Sequence, residues 1–443
     1  MERAETTIPY NAGKNAVIDF WVVCCIVCRL GFPGILSEYS GLLTPLFDYG
    51  STFLQVFLMM AASGNSINEI KLLDLKKKYN MVYMMIALLI VQSLLVASSK
   101  TSVLTTSVRF AITALFGLWL ADHYGTKRLF EVICNAQNVF VAMNLLLFFV
   151  FRNIGFYYDE EGRYLFRGLQ TRKNPMGQEL AFGLVLYVAL LCMQRRNGEK
   201  LRKQHLFWLA AQIFLLLETQ ATGAIFTALV PIAYLLLRES NILKLPRFQW
   251  GYLYITVSVA FIIVALTVLP AFEPLLQLIG KDATLSNRTK MWEKIIPFML
   301  NSHTFTGYGL LMFWYDENAL RSLQNLFDRN SWFRDMTYGS HNTLLEMWLD
   351  VGLIGIGIFF IVLLYSFRRV RRFTEEQYLA CSAFMMPLLI RGLTERSFTN
   401  ANYLTLYLFV VLGLACTGSD VKPPLYPRRP FLNQSADSQE GTI

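Results

Sequence analysis

Apolar runs of about 20 residues, the length that carries a helix across a bilayer core, recur from end to end of this chain. They fall near 16–36, 45–62, 81–98, 103–121, 130–151, 175–193, 206–219, 221–237, 251–272, 351–367, 377–391 and 403–417. The runs are continuous and not alternating, which opposes a β-barrel, and in lipid each helix satisfies its own backbone hydrogen bonds. The pattern predicts an all-α polytopic membrane protein of about twelve transmembrane helices. The polar stretch MERAETTIPYNAGKN precedes the first run and no small-residue cleavage site follows it. That run reads as a retained span and not as a signal peptide.

Of 443 residues, 54% are hydrophobic, and the net charge is +9. In a soluble chain such a charge would suggest nucleic acid. Here the basic residues sit in short loops, KLLDLKKK (71–78), TKR (126–128), RRNGEKLRK (195–203), RESNILKLPR (238–247) and RRVRR (368–372). Basic loops at alternate connections mark the cytoplasmic side, so both termini are expected there and no nucleic-acid partner is. The seven cysteines lie in or beside apolar runs and behave as small hydrophobes.

The expected organisation is an N-terminal bundle (1–272) that includes an outer loop at 152–174, a long outer loop (273–349), C-terminal spans (350–417) and a flexible cytoplasmic tail (418–443). Within the long loop, WEKIIPFML, DENALRSLQNLF and SHNTLLEMWLD carry apolar residues at helical spacing. Two or three short helices packed as a cap are expected there.

Several arginines break the topological rule. The first outer loop holds Arg152, Arg163, Arg167, Arg172 and Lys173; the long loop adds Arg288, and RGLTERSF adds Arg391 and Arg396. Arginine's planar fork suits phosphate oxygens, and a basic vestibule over apolar walls would suit a lipid diphosphate. The alternative is pairing with Asp159, Glu160, Glu161 or Glu395, or contact with headgroups. Arg109 lies inside a span, where charge is costly unless it faces the bundle interior. It either serves the same anionic site from below or pairs with Asp48 or Asp19. The four histidines show no HExxH or clustered spacing and no Walker-type loop occurs, so neither a catalytic metal nor another cofactor is expected.

Three motifs resemble one family. GLQTRKNPMGQELAFG (168–183), LSNRTKMWEKIIPFMLNSHTFTGYGLLMFW (285–314) and SHNTLLEMWLDVGLIGIG (340–357) are similar, in order and topology, to signatures of the O-antigen ligase and polymerase superfamily. The likeness is close over about 160–360. The RKN form looks nearest to the exopolysaccharide-polymerase branch. Two departures stand out: Asn287 stands where glycine is usual before Arg288, and Arg172 where a histidine is common before Lys-Asn.

The resemblance implies a GT-C-like, metal-independent, inverting glycosyltransferase of the bacterial inner membrane. It would move a glycan from an undecaprenyl-diphosphate-linked oligosaccharide to a glycan or lipid-linked acceptor on the periplasmic face, among membrane lipids, with a chain-length regulator as an optional partner. His341 would act as general base or orienter for the acceptor hydroxyl, and Arg288, Arg167 and Arg172 would hold the diphosphate leaving group. Lys173 and Asn174 would order their loop or touch phosphate. Trp292 would stack on a sugar or anchor at the interface. Asn342 would join His341 at the substrate or cap the helix behind it. Polymerisation of repeat units is the primary expectation; ligation to lipid A-core or protein O-glycosylation is the alternative. A lipid-linked glycan transporter is the competing class, but transporters tend to show matched halves and midplane sites.

Overall fold

The computed structural model describes residues 12–31, 43–62, 77–159, 162–240, 245–274, 285, 287–327, 339–396 and 402–417. Most of the 71–78 basic loop, Glu160, Glu161 and the 418–443 tail lie outside the described residues.

Each of the twelve apolar runs forms a helix. In chain order they are α1 (Ala12–Arg29), α2 (Leu43–Ala62), α3 (Asn80–Val96), α4 (Lys100–His123), α5 (Thr126–Phe149), α6 (Lys173–Arg196), α7 (Lys203–Glu218), α8 (Thr222–Glu239) and α9 (Trp250–Thr267). After the long loop, which supplies α10 (Arg288–Asn301) and α11 (Glu317–Gln324), come α12 (Thr343–Phe367), α13 (Glu375–Thr394) and α14 (Tyr403–Thr417). The protein is an all-α polytopic membrane protein. A single antiparallel hairpin is the described strand structure, β1 (Phe156–Tyr158) paired with β2 (Tyr164–Phe166) in the first outer loop.

Seven of the twelve, α3, α4, α5, α6, α8, α9 and α12, are long and apolar enough by themselves to cross a membrane. The others are shorter or carry polar residues turned inward, where protein and not lipid receives them. In α1 and α2, the Arg29 guanidinium donates to Thr52 (2.7 Å), and Arg109 of α4 pairs with Asp48 (2.9 Å). The intramembrane arginine thus has the ion-pair partner expected as one of its alternatives. Helix α14 is buried along its whole length from Tyr403 to Cys416, as an all-round apolar helix at a bundle centre should be. It approaches α4 so closely that a Cβ on Gly117 would lie 2.7 Å from the Leu406 carbonyl oxygen.

The basic loops collect at one end of the bundle. Lys78 pairs with Asp122 (2.7 Å), Lys127 with Glu199, Arg196 with Glu239, and Arg238 and Arg247 both with Glu375. The α6 N-terminus and the α13 C-terminus therefore share the opposite end.

At that opposite end the long loop builds a small core of its own. Met291, Trp292, Ile295 and Met299 of α10 meet Phe313, Leu323 of α11, Ala265 of α9, and Leu345 and Leu349 of α12. The segment SHNTLLEMWLD packs Leu345 and Leu349 into this core and also runs on, across a break, into the apolar helix that follows. Inside α12, Gly352 has φ 61° and ψ −173°, a conformation open essentially to glycine alone. The loop TFTGYG repairs the break. The Tyr308 and Gly309 N–H groups donate to Leu349 and Asp350 (2.9 and 2.7 Å), Leu353 and Ile354 donate back to Thr304 and Phe305 (3.0 and 3.1 Å), and the Gln92 amide donates to Val351 (2.6 Å). Irregular backbone at membrane depth persists only when its polar groups are satisfied by protein in this way.

Candidate active site

Asn342 fixes the start of α12. Its side-chain oxygen accepts from the Leu344 and Leu345 N–H groups (3.0 and 3.1 Å), filling the helix N-cap, and its amide donates to the Leu393 carbonyl (3.0 Å). Thr343 donates to the Glu395 carbonyl (2.8 Å). Two consecutive side chains thereby stitch the first turn of α12 to the end of α13. Asn342 is 1% exposed, so it serves the scaffold as a cap.

That stitching sets His341 beside Glu395. The imidazole Nδ1 lies 3.1 Å from Glu395 Oε2, and His341 takes a left-handed backbone, φ 52°. An ionised carboxylate only accepts, so the ring donates to it through Nδ1–H, and Nε2 is the nitrogen Glu395 does not engage. The other carboxylate oxygen, Oε1, accepts from Arg288 (2.8 Å). Burial pushes the Glu395 carboxyl up, but the His341 hydrogen bond and charge, with Arg288 and Arg391, outweigh it and hold it below the usual glutamate range.

Asn287, the departure from glycine, has φ 66°. The position needs left-handed backbone, which asparagine tolerates better than other non-glycine residues. One turn on, Trp292 is fully buried, and its indole N–H donates to the Ser340 carbonyl (2.8 Å). No ring face is left for a sugar; the side chain props the strand of backbone that carries His341. Below it Glu346, 1% exposed, accepts from the Ser340 N–H (2.7 Å) and the Trp314 indole (2.8 Å). Arg396 stands 3.7 Å from the same carboxylate.

The first motif stays apart. Arg167 donates to the Ile154 carbonyl (3.2 Å) and its guanidinium lies 5.8 Å from the Tyr157 ring centre. Arg172 is the exposed residue before α6, followed by half-buried Lys173 and exposed Asn174. These residues share with His341 the end opposite the basic loops, but among the described residues no hydrogen bond or ion pair joins Arg172, Lys173 or Asn174 to the Glu395 cluster. Arg163 pairs with Asp159 (2.7 Å). Glu395 figured in the sequence only as an ion-pair partner for an outer arginine. Its signal was weak, a lone acid between two arginines at a helix end, RGLTERSF.

Among the described residues, no group of three or more His, Cys, Asp or Glu side chains could hold a metal ion. A polar cavity of about 260 Å³ opens at the other end of the bundle, between Arg128, Asn138, Tyr187, Gln194 and His205. It corresponds to none of the expected sites.

His341 and Arg288 meet on one carboxylate, and the comparison with known proteins covers both residues. Residues 205–360 match the O-antigen ligase family. That segment contains the second and third motifs, 285–314 and 340–357, whereas the first, 168–183, lies before it. His341, Arg288, Trp292 and Asn342 fall inside the ligase-family segment, whereas Arg167, Arg172, Lys173, Asn174 and Glu395 fall outside it. The chain is also similar to the exopolysaccharide production protein ExoQ of Rhizobium meliloti (strain 1021), at 25% identity over 219 residues. That match spans 48% of this chain and 48% of the relative, about half the length of each.

Proposed function

We propose that the protein is a metal-independent, inverting glycosyltransferase that extends a polysaccharide from undecaprenyl-diphosphate-linked units. The observation that carries this reading is the joining of Arg288 and His341 on one carboxylate at the outer end of the bundle. His341 Nε2 takes the acceptor hydroxyl proton as that oxygen attacks the anomeric carbon from the face opposite the diphosphate. The glycosidic C–O bond breaks, the diphosphate leaves with the electron pair, and Arg288 neutralises its growing charge. Arg172, Lys173 and Asn174, at the same end, would take the rest of the diphosphate or the glycan. In this reading the site faces the periplasm from a bacterial inner membrane, and the basic loops and both termini face the cytoplasm. The name of the ExoQ relative favours polysaccharide extension over ligation to lipid A-core.

The test is transfer by purified protein in detergent with a lipid-linked repeat unit, with and without a chelator. Product in the chelator arm is expected, and its restoration only by added divalent ion would overturn metal independence. Activity without two compartments excludes pure transport. His341→Ala should abolish transfer while sparing donor binding. In cells, loss of a polymerase leaves single repeats attached, whereas loss of a ligase strands long chains on their carrier.

A further inference from the structure

We propose that Glu395 is a positioning residue that couples donor capture to acceptor activation: it holds Arg288 while the site is empty and yields it to the donor diphosphate, keeping His341. The proposal rests on the transfer reading above.

The carboxylate is built to be shared. Its two oxygens have different partners, Arg288 Nη2 on Oε1 (2.8 Å) and His341 Nδ1 on Oε2 (3.1 Å). Its backbone is tied at both polar atoms, the N–H to the Arg391 carbonyl (2.8 Å) and the carbonyl to Thr343 (2.8 Å). Glu395 is therefore a fixed post, and movement at the site falls to Arg288. That arginine uses only Nη2 among the described residues, and its side chain remains 21% exposed. A diphosphate offers more charge and more acceptor oxygens than one carboxylate, and competes for a guanidinium on both counts.

The exchange changes what His341 feels. Among the described residues, His341 meets Glu395, just past the end of α13; Arg288 of α10 and Arg391 of α13 act on the same carboxylate, and Arg396 pairs with Glu346, one turn into α12. While Arg288 sits on Glu395, part of the carboxylate's charge is spent on it. Once Arg288 turns to the diphosphate, Glu395 faces His341 with less of its charge compensated, Arg391 remaining, and the imidazolium formed on proton abstraction is better stabilised. No extra reagent is needed: the proton goes from acceptor oxygen to Nε2, and the electron pair leaves with the diphosphate. The acceptor is thus activated only when a donor is present.

Farnesyl diphosphate, a soluble prenyl diphosphate, is the probe, with the full chain in detergent. Glu395→Gln keeps the size and removes the charge. Freed from its resting partner, Arg288 should bind the probe about two- to fivefold more tightly, the worth of an ion pair of this kind. Turnover at saturating lipid-linked donor should meanwhile fall, by about 10-fold or more. A merely structural glutamate would weaken binding and turnover together, and that result overturns the hand-off, as does wild-type behaviour in both. A second measurement needs no variant. With histidine ring carbons labelled in the wild-type chain, probe binding should shift the His341 signal while those of His123, His205 and His303 stay still; an unmoved His341 signal sinks the proposal. Wild-type protein that binds the probe but never transfers glycan fails the transfer reading instead, so the two failures are distinguishable.

Discussion

A Cβ placed on Gly352 would lie 2.3 Å from the carbonyl oxygen of Phe305. The contact is the seam where the TFTGYG loop enters the broken helix α12, and neither side can retreat, because the Phe305 carbonyl also accepts from Ile354 (3.1 Å). Gly352→Ala should meet backbone strain of about 1–3 kcal/mol and the clash besides. The expected result is a sharp loss of folded protein by size-exclusion in detergent. A monodisperse variant with an unchanged melting temperature would show that the seam is soft.

Trp292→Phe keeps an aromatic ring but leaves a cavity at a fully buried site, and it deletes the indole N–H that satisfies the Ser340 carbonyl. Leaving a buried acceptor unpaired costs about 1–3 kcal/mol, at the residue next to His341. The variant should lose thermal stability and transfer together, while prenyl diphosphate binding persists. A tryptophan that bound sugar instead would leave the melting temperature alone and raise the acceptor KM.

Asn287 opens a test of the departure from glycine. Asn287→Gly should be close to neutral, since glycine takes positive φ without a Cβ penalty. Asn287→Ala should cost about 1–2 kcal/mol for the same backbone. Equal melting temperatures for the two variants would contradict the left-handed geometry at this position.

Three Arg-to-Lys changes made side by side separate geometry from charge. Arg288→Lys and Arg172→Lys keep a cation but lose the planar fork, so transfer should fall sharply if they clamp a diphosphate. Arg163→Lys, within an exposed pair to Asp159, should stay near wild type, because such pairs contribute only about 0 to 1 kcal/mol. Product per unit of folded protein is the readout, and near-wild-type yields from all three would sink the clamp.

The lowered Glu395 carboxyl fixes a sign for acid stability. A group whose folded pKa lies below its unfolded value stabilises the fold above the unfolded value, and that contribution is lost as pH falls through the folded one. Glutamate's ordinary value is about 4.5. In melts from about pH 7 to about pH 3, the stability advantage of wild type over Glu395→Gln should be present near neutrality and shrink below the ordinary glutamate range. An advantage that grows with acid would refute the assignment.

The sequence by itself determined the helices, because twelve apolar runs can satisfy their backbone in lipid in only one way, and each became a helix, though α12 begins well ahead of its run and α1 ends well short of its own. It also marked the end of the bundle that holds the basic loops, since their charges are local and countable. Tertiary structure alone decided the rest. SHNTLLEMWLD reads as a cap helix from its apolar spacing, and Leu345 and Leu349 do pack into that core. Only the exchange of hydrogen bonds with a loop about 45 residues earlier shows that the span continues. Trp292 could be read from spacing as a sugar platform; its burial against α9 and its bond to Ser340 come from packing that no local pattern encodes. Glu395 carries no motif, and it enters the site because Asn342 and Thr343 stitch two distant helices together. The Arg167 to Asn174 segment is the converse case: legible as a motif, yet standing apart from the His341 cluster, since a shared signature fixes order along the chain and not distance in space.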